Sequence, residues 1–172
     1  MGNESAIILP VPEAEPIVRQ LRLQYDPAAR LGVPAHITLL YPFCPADAAA
    51  GEIRSLHDVC ATIESFQFSL IEVRCFPATA YLHPDAAEKF AQITKSLVGI
   101  WPAYSPYAGV HPDIIPHLTV ADRVSAETLR KVEALLRDQL PIPCLAQEVW
   151  LITSNEAGLW SKTAALPLAA AS

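Results

Sequence analysis

The chain has 172 residues, 52% of them hydrophobic, and a formal net charge of −6. That length and apolar content suffice for a single domain over residues 1–172, built as two lobes around one core, and no apolar run is long enough to span a bilayer. Its 12 Lys and Arg are scattered, which excludes the basic stripe of a protein that grips long nucleic acid; a phosphate-bearing partner is then small or met only at its end.

The start, MGNESAIILPVPEAEP, has neither the basic opening nor the cleavage site of a signal peptide. Ala6 stands where a myristoylation signal needs Ser or Thr. A cytoplasmic monomer is the expectation. Residues 6–11 read as a short strand. Ile17, Val18, Leu21 and Tyr25 recur at helical spacing within 13–25. Pro27, Gly32 and Pro34 make 25–34 a turn-rich link. A strand over 36–41 stops at Pro42. Asp47 is a candidate cap for a helix running to Glu64, with Ile53, Leu56, Val59, Cys60 and Ile63 inward. Segments 66–73 and 76–84 alternate as antiparallel strands.

The second half repeats the plan. A helix over 85–101 turns Phe90, Ile93, Leu97 and Ile100 inward. A long proline-bearing loop follows, with Tyr104, Tyr107, Gly109 and His111. A strand over 117–122 precedes a helix to Leu140, capped by Ser125, with Leu129, Val132, Leu135 and Leu136 inward. Two closing strands span 146–154 and 158–168, and residues 169–172 are expected to fray. Strand-helix-strand-strand thus occurs twice, each time opening on a strand that carries a histidine.

Those two strands read alike: PAHITLLYPF around His36 and IPHLTVADRV around His117, nearly half the chain apart. Side chains alternate along a strand. His36 and Thr38 therefore share one face with Ile37 and Leu39 behind them. His117 and Thr119 share a face with Leu118 and Val120 behind. If the two copies meet about a pseudo-twofold axis, the histidines face each other across a cleft.

An unperturbed imidazole titrates near pH ~6.5, so one ring can hold a proton while the other lacks one. Such a pair supplies the base and the acid for displacement at a phosphodiester. The neighbouring threonine hydroxyls can hold phosphoryl oxygens. No metal is required, and a bell-shaped pH profile with limbs near neutrality is expected.

HITL at 36–39 and HLTV at 117–120, set within YDPAARLGVPAHITLLYPF and PYAGVHPDIIPHLTVAD, resemble the paired motifs of the two-histidine (2H) phosphoesterase superfamily, in its bacterial 2′-5′ RNA ligase-like branch. The resemblance runs from about residue 6 to 168. It implies a bilobal α+β fold, with antiparallel sheets lining a central cleft and helices outside. It also implies hydrolysis or formation of phosphodiesters at 2′ or 3′ positions. Carried over, His36 and His117 are the acid–base pair and Thr38 and Thr119 bind the substrate phosphate. The expected activity is a cyclic phosphodiesterase opening a 2′,3′-cyclic phosphate on a small nucleotide or RNA terminus, with no cofactor. The rivals are a non-catalytic nucleotide-binding module and a 2′-5′ RNA ligase.

Tyr107 is a possible substrate contact by stacking, against packing under its loop. Arg123 could reach a phosphate, against a solvated strand end. Tyr41 has the opposite parity to His36 and belongs in the core or at a rim. Trp101, Trp150 and Trp160 are expected in the core or between lobes. His57 is expected at the surface, His83 at a strand end and His111 in a solvated loop. Cys44, Cys60, Cys75 and Cys144 match no zinc or redox spacing and are expected free and largely buried.

Overall fold

The computed structural model describes residues 3–110 and 113–172; His111 lies outside them. In chain order the elements are β1 (Ser5–Pro10), α1 (Glu15–Tyr25), α2 (Pro27–Arg30), β2 (His36–Leu40), α3 (Ala46–Cys60), β3 (Phe66–Phe76), β4 (Thr79–Pro84), α4 (Ala87–Ile100), β5 (Leu118–Asp122), α5 (Ala126–Arg137), β6 (Ile142–Ala146), β7 (Glu148–Ser154) and β8 (Trp160–Pro167). Short 3₁₀ turns precede α1 and interrupt the loop before β5.

The strands form two four-stranded antiparallel sheets, ordered β2-β1-β7-β8 and β5-β4-β3-β6. This is the expected α+β architecture, and the two histidine strands lie at the sheet edges. β2 and β5 touch each other. α1, which follows β1, packs beside β5 of the other sheet, and α4, which follows β4, packs beside β2. α3 lies on the first sheet and α5 on the second. The crossed placement of α1 and α4 is what an internal twofold relation produces.

Each sheet has two distinct faces. Ile7, Leu9, Ile37, Leu39, Val149 and Leu151 point into the main core, together with Leu82, Leu118, Val120 and the inward residues of the helices. Ala6, Ile8 and Ile152 lie on the opposite face of the first sheet, where Val33 and, in part, Trp150 and Trp160 join them. His36 and Thr38 stand on that second face.

Several local expectations are corrected. α3 begins after Pro45 with no side-chain cap, and Asp47 lies in its first turn, where its charge meets the helix dipole. The link before β2 contains α2, because the Asp26 side chain accepts from the Ala28 N–H and caps it. Ile100 and Leu135 are exposed at 50% and 52%; each satisfies the helical spacing but lies at the edge of the buried stripe. Three strands close the chain rather than two, because β6 pairs with β3 despite holding Pro143. β6 is the last strand of its sheet, so a missing N–H on its open side costs no ladder bond. The tail is held at Ala169, whose N–H donates to Ile63 and whose carbonyl accepts from Ser65. All four cysteines are free, and Cys75 is exposed while the other three are buried. The three tryptophans are half-buried.

Candidate active site

The histidine strands share a feature beyond their motifs. In the β1–β2 ladder Thr38 faces Ile8 and Leu40 faces Ile7, so Leu39 is an extra residue. In the β4–β5 ladder Thr119 faces Tyr81 and Ala121 faces Ala80, so Val120 is the extra one. Both strands therefore bulge at the third residue after the histidine, and both extra residues are buried. A bulge bends the strand and ends the alternation. The doublets Leu39-Leu40 and Val120-Ala121 are its sequence signal. The carbonyl of Leu39 accepts from the Thr94 hydroxyl of α4 at 2.6 Å, which satisfies a buried group beside the bulge.

The imidazoles are oriented in the same way. His36 Nδ1 lies 2.7 Å from the carbonyl of Pro34, and His117 Nδ1 lies 2.6 Å from the carbonyl of Ile115. A carbonyl only accepts, so in both rings Nδ1 carries the proton and donates. His36 is thereby left with Nε2 as its acceptor nitrogen when neutral. That atom is 3.1 Å from Thr38 Oγ1, so the residues paired by strand parity meet in space. Thr119, on β5, is half-buried like Thr38.

Burial pushes the His36 ring down to about 4, and the charges of Arg22 and His117 act in the same direction against the raising effect of the Pro34 carbonyl. His36 is thus neutral near pH 7. The repulsion between the two imidazoles also places the motifs within electrostatic reach of each other.

Arg22 escaped the reading of the sequence, where it looks like a solvent residue of an amphipathic helix. It is 2% exposed. Its guanidinium donates to Asp26 Oδ2 through Nε at 3.1 Å and Nη2 at 2.8 Å, and to the Val33 carbonyl through Nη1. Asp26 is buried too, and burial raises its carboxyl while Arg22 opposes the shift. The pair braces the segment that leads into Pro34 and His36. Gly32 completes that segment at φ +98°; a Cβ there would lie 2.8 Å from the Trp160 carbonyl oxygen, so the close approach demands glycine.

Around His117, Phe76 and Tyr81 present their rings at 5.4 Å each, and Tyr107 stacks at 6.4 Å. Tyr107 reaches both motifs, because its hydroxyl is hydrogen-bonded to Thr38. Its N–H donates to the Tyr41 carbonyl at 2.6 Å. Tyr107 and Ala108 both take left-handed backbone, at φ 51° and 53°, which turns the loop toward the motifs. Tyr104 packs against Phe43 instead, at 5.2 Å. Tyr41 sits at the rim, with its ring edge on Trp160 and its hydroxyl on Glu4.

Arg123 is not brought to these groups. Its side chain is 84% exposed and pairs with Asp122, and the backbone at φ 57° ends the strand there. His57 is a surface residue beside Asp58. His83 stands on β4 opposite Glu72, on the face that carries Tyr81. Among the described residues no group of three or more His, Cys, Asp or Glu is placed to hold a metal ion, and no helix is long and apolar enough to cross a membrane.

Comparison with solved structures supports the fold. Escherichia coli LigT complexed with 3′-AMP is 15% identical and aligns over 98% of this chain and 99% of its own, with a TM-score of 0.63. TT0787 of Thermus thermophilus is 16% identical over 98% of this chain and 100% of its own, with a TM-score of 0.65. LigT complexed with ATP is 14% identical over 98% and 99%, with a TM-score of 0.61. No curated protein matches the sequence. Residues 10–158, with both histidine motifs and the elements that carry them, match the 2′-5′ RNA ligase superfamily, and the chain belongs to that family.

Proposed function

We propose that this protein is a phosphodiesterase that opens a 2′,3′-cyclic phosphate on a small nucleotide or RNA terminus. His36 serves as base and His117 as acid. His36 Nε2 takes a proton from water as the water oxygen bonds to phosphorus. The bond from phosphorus to one ring oxygen breaks, and His117 Nε2–H gives that oxygen its proton. The product is a monophosphate with a free neighbouring hydroxyl. Thr38 and Thr119 hold the phosphoryl oxygens between the rings. Both proton transfers use side chains of this chain, one as acceptor and one as donor. Arg123 has no part in the scheme.

The observation that carries this reading is the matched Nδ1 bond in the two motifs. It leaves each Nε2 clear of that carbonyl, and His36 Nε2 meets the Thr38 hydroxyl at 3.1 Å. The depressed His36 ring favours it as the base, because it stays unprotonated at neutral pH. That LigT is found with 3′-AMP and with ATP is in keeping with a nucleotide substrate.

The test is turnover of a panel of nucleoside 2′,3′-cyclic phosphates and 2′-5′ dinucleotides by the parent, His36→Ala and His117→Ala, with products separated by chromatography. Each variant is expected to lose activity by about a hundredfold or more while keeping its fold by circular dichroism. Parent-like rates in both variants would overturn the assignment. Binding without product in the parent would favour a binding module, and formation of 2′-5′ linkages would favour ligation.

A further inference from the structure

Beside His36 the front of the first sheet opens into a cavity of about 360 Å³, lined by Pro10, Pro34, Ala35, Trp150 and three glutamates, Glu13, Glu15 and Glu148. Three relations tie it to the candidate site. Pro34 and Ala35 run directly into His36. Pro10 is the ladder partner of His36. Trp150 faces Ile8 across β1 and β7, and Ile8 faces Thr38 across β1 and β2. Trp150 and Thr38 thus stand on one face, two strand spacings or about 10 Å apart. That is the scale of a nucleotide whose phosphate lies at the threonines.

The lining selects one end of such a molecule. Three carboxylates disfavour a phosphate and favour N–H donors. Glu15 accepts from the Ala35 N–H at 2.6 Å and Glu148 from Trp150 Nε1 at 2.6 Å, which holds both side chains in place. Glu13 accepts from the Leu145 N–H through Oε1, while its Oε2 is buried with no hydrogen-bond partner among the described residues. Glu15 and Glu148 each use one oxygen in these bonds, which leaves the other oxygen of each carboxylate as an acceptor. Trp150 supplies a flat apolar wall, with the Lys162 ammonium 4.3 Å from its ring centre.

We infer that this cavity is the base subsite of the nucleotide that the histidine pair acts on, and that it takes a base bearing an exocyclic amine in preference to the same base without it. The ring stacks against Trp150, and the amine donates to the glutamates. A base without the amine leaves those carboxylate oxygens without that donor. The inference rests on the proposed nucleotide chemistry, but its test reads binding and not turnover.

Adenosine and purine-riboside 3′-monophosphates differ only in that amine, whereas inosine would replace it by a carbonyl and add an N1–H donor. Calorimetric titration of the parent is expected to show the adenosine compound binding about fivefold or more tightly than the purine-riboside compound. Glu148→Gln should reduce the preference to about twofold or less. Trp150→Phe, which retains a ring, should keep the preference, whereas Trp150→Leu should weaken both ligands. Equal affinity for the two ligands in the parent overturns the inference, as does a preference unchanged in both Glu148→Gln and Glu13→Gln. If cyclic phosphates are opened without base preference, the subsite fails alone. If the preference is present and no cyclic phosphate is opened, the reaction assignment fails alone.

Discussion

The ring of Tyr107 lies nearly parallel to that of His117, 6.4 Å away at an interplanar angle of 23°, while its hydroxyl is bonded to Thr38 on the opposite strand. One loop residue therefore touches both motifs. Its stack steadies the imidazole of one, and its hydroxyl steadies the threonine of the other, which is proposed to hold the phosphate. Tyr107→Phe keeps the stack and removes the hydroxyl. The expected outcome is a fall in kcat/KM of about twofold to tenfold, the equivalent of one hydrogen bond. Tyr107→Ala should lose more, chiefly in KM. Steady-state kinetics decide it, and a gain of activity in Tyr107→Ala would show that the ring blocks the site instead.

His36 makes both rate and stability depend on acid. Its ring is held at about 4 in the folded protein, against about 6.5 for a free histidine. Between those values the unfolded chain binds the proton and the folded chain does not. Stability contributed by this group is therefore complete above pH ~6.5, falls as the pH drops toward 4, and levels off below it, with a slope of at most about 1.4 kcal/mol per pH unit. Urea titrations of the parent and His36→Gln across that window measure the difference. The acid limb of kcat/KM should lie near the same low value, not near neutrality as the sequence alone leads one to expect. An acid limb near 6.5 would contradict a neutral, buried base.

The Arg22–Asp26 pair, with side chains 3% and 5% exposed, is held by Nη2···Oδ2 contact at 2.8 Å. Asp26→Asn retains an acceptor for the Ala28 N–H but leaves the guanidinium charge buried without its partner. The expected cost is about 3–5 kcal/mol in chemical denaturation. Arg22→Met removes the charge that opposes protonation of His36, so the acid limb of the rate profile should move upward. An unmoved limb in a folded Arg22→Met variant would show that Arg22 braces the segment without influencing the ring.

Thr94 is buried on α4 and reaches across to the Leu39 carbonyl at the first bulge. Thr94→Val is close in shape and removes the donor. It should cost about 1–3 kcal/mol, the penalty for an unsatisfied buried carbonyl, and loosen the strand that carries His36 and Thr38. Thermal unfolding gives the first value, and hydrogen exchange over 36–40 the second. A wild-type melting temperature would mean that water takes over the bond.

By itself the sequence determined the two histidine strands, the facing of His36 with Thr38, the repeated element order and the antiparallel β3–β4 pair. All of these follow from rules that act within a few residues: strand alternation, helical spacing and proline or glycine stops. The tertiary structure decided what depends on contact between distant segments. Arg22 is solvent-like by spacing, yet it is buried because α1 crosses to the other sheet and the link before β2 folds back over it. Tyr107 is one aromatic among several in its loop until the Tyr41 carbonyl and two left-handed residues turn it toward both motifs. The low protonation of His36 belongs to neither motif alone. It arises from burial and from Arg22 and His117, which the fold brings near, and neighbouring residues in the sequence encode neither.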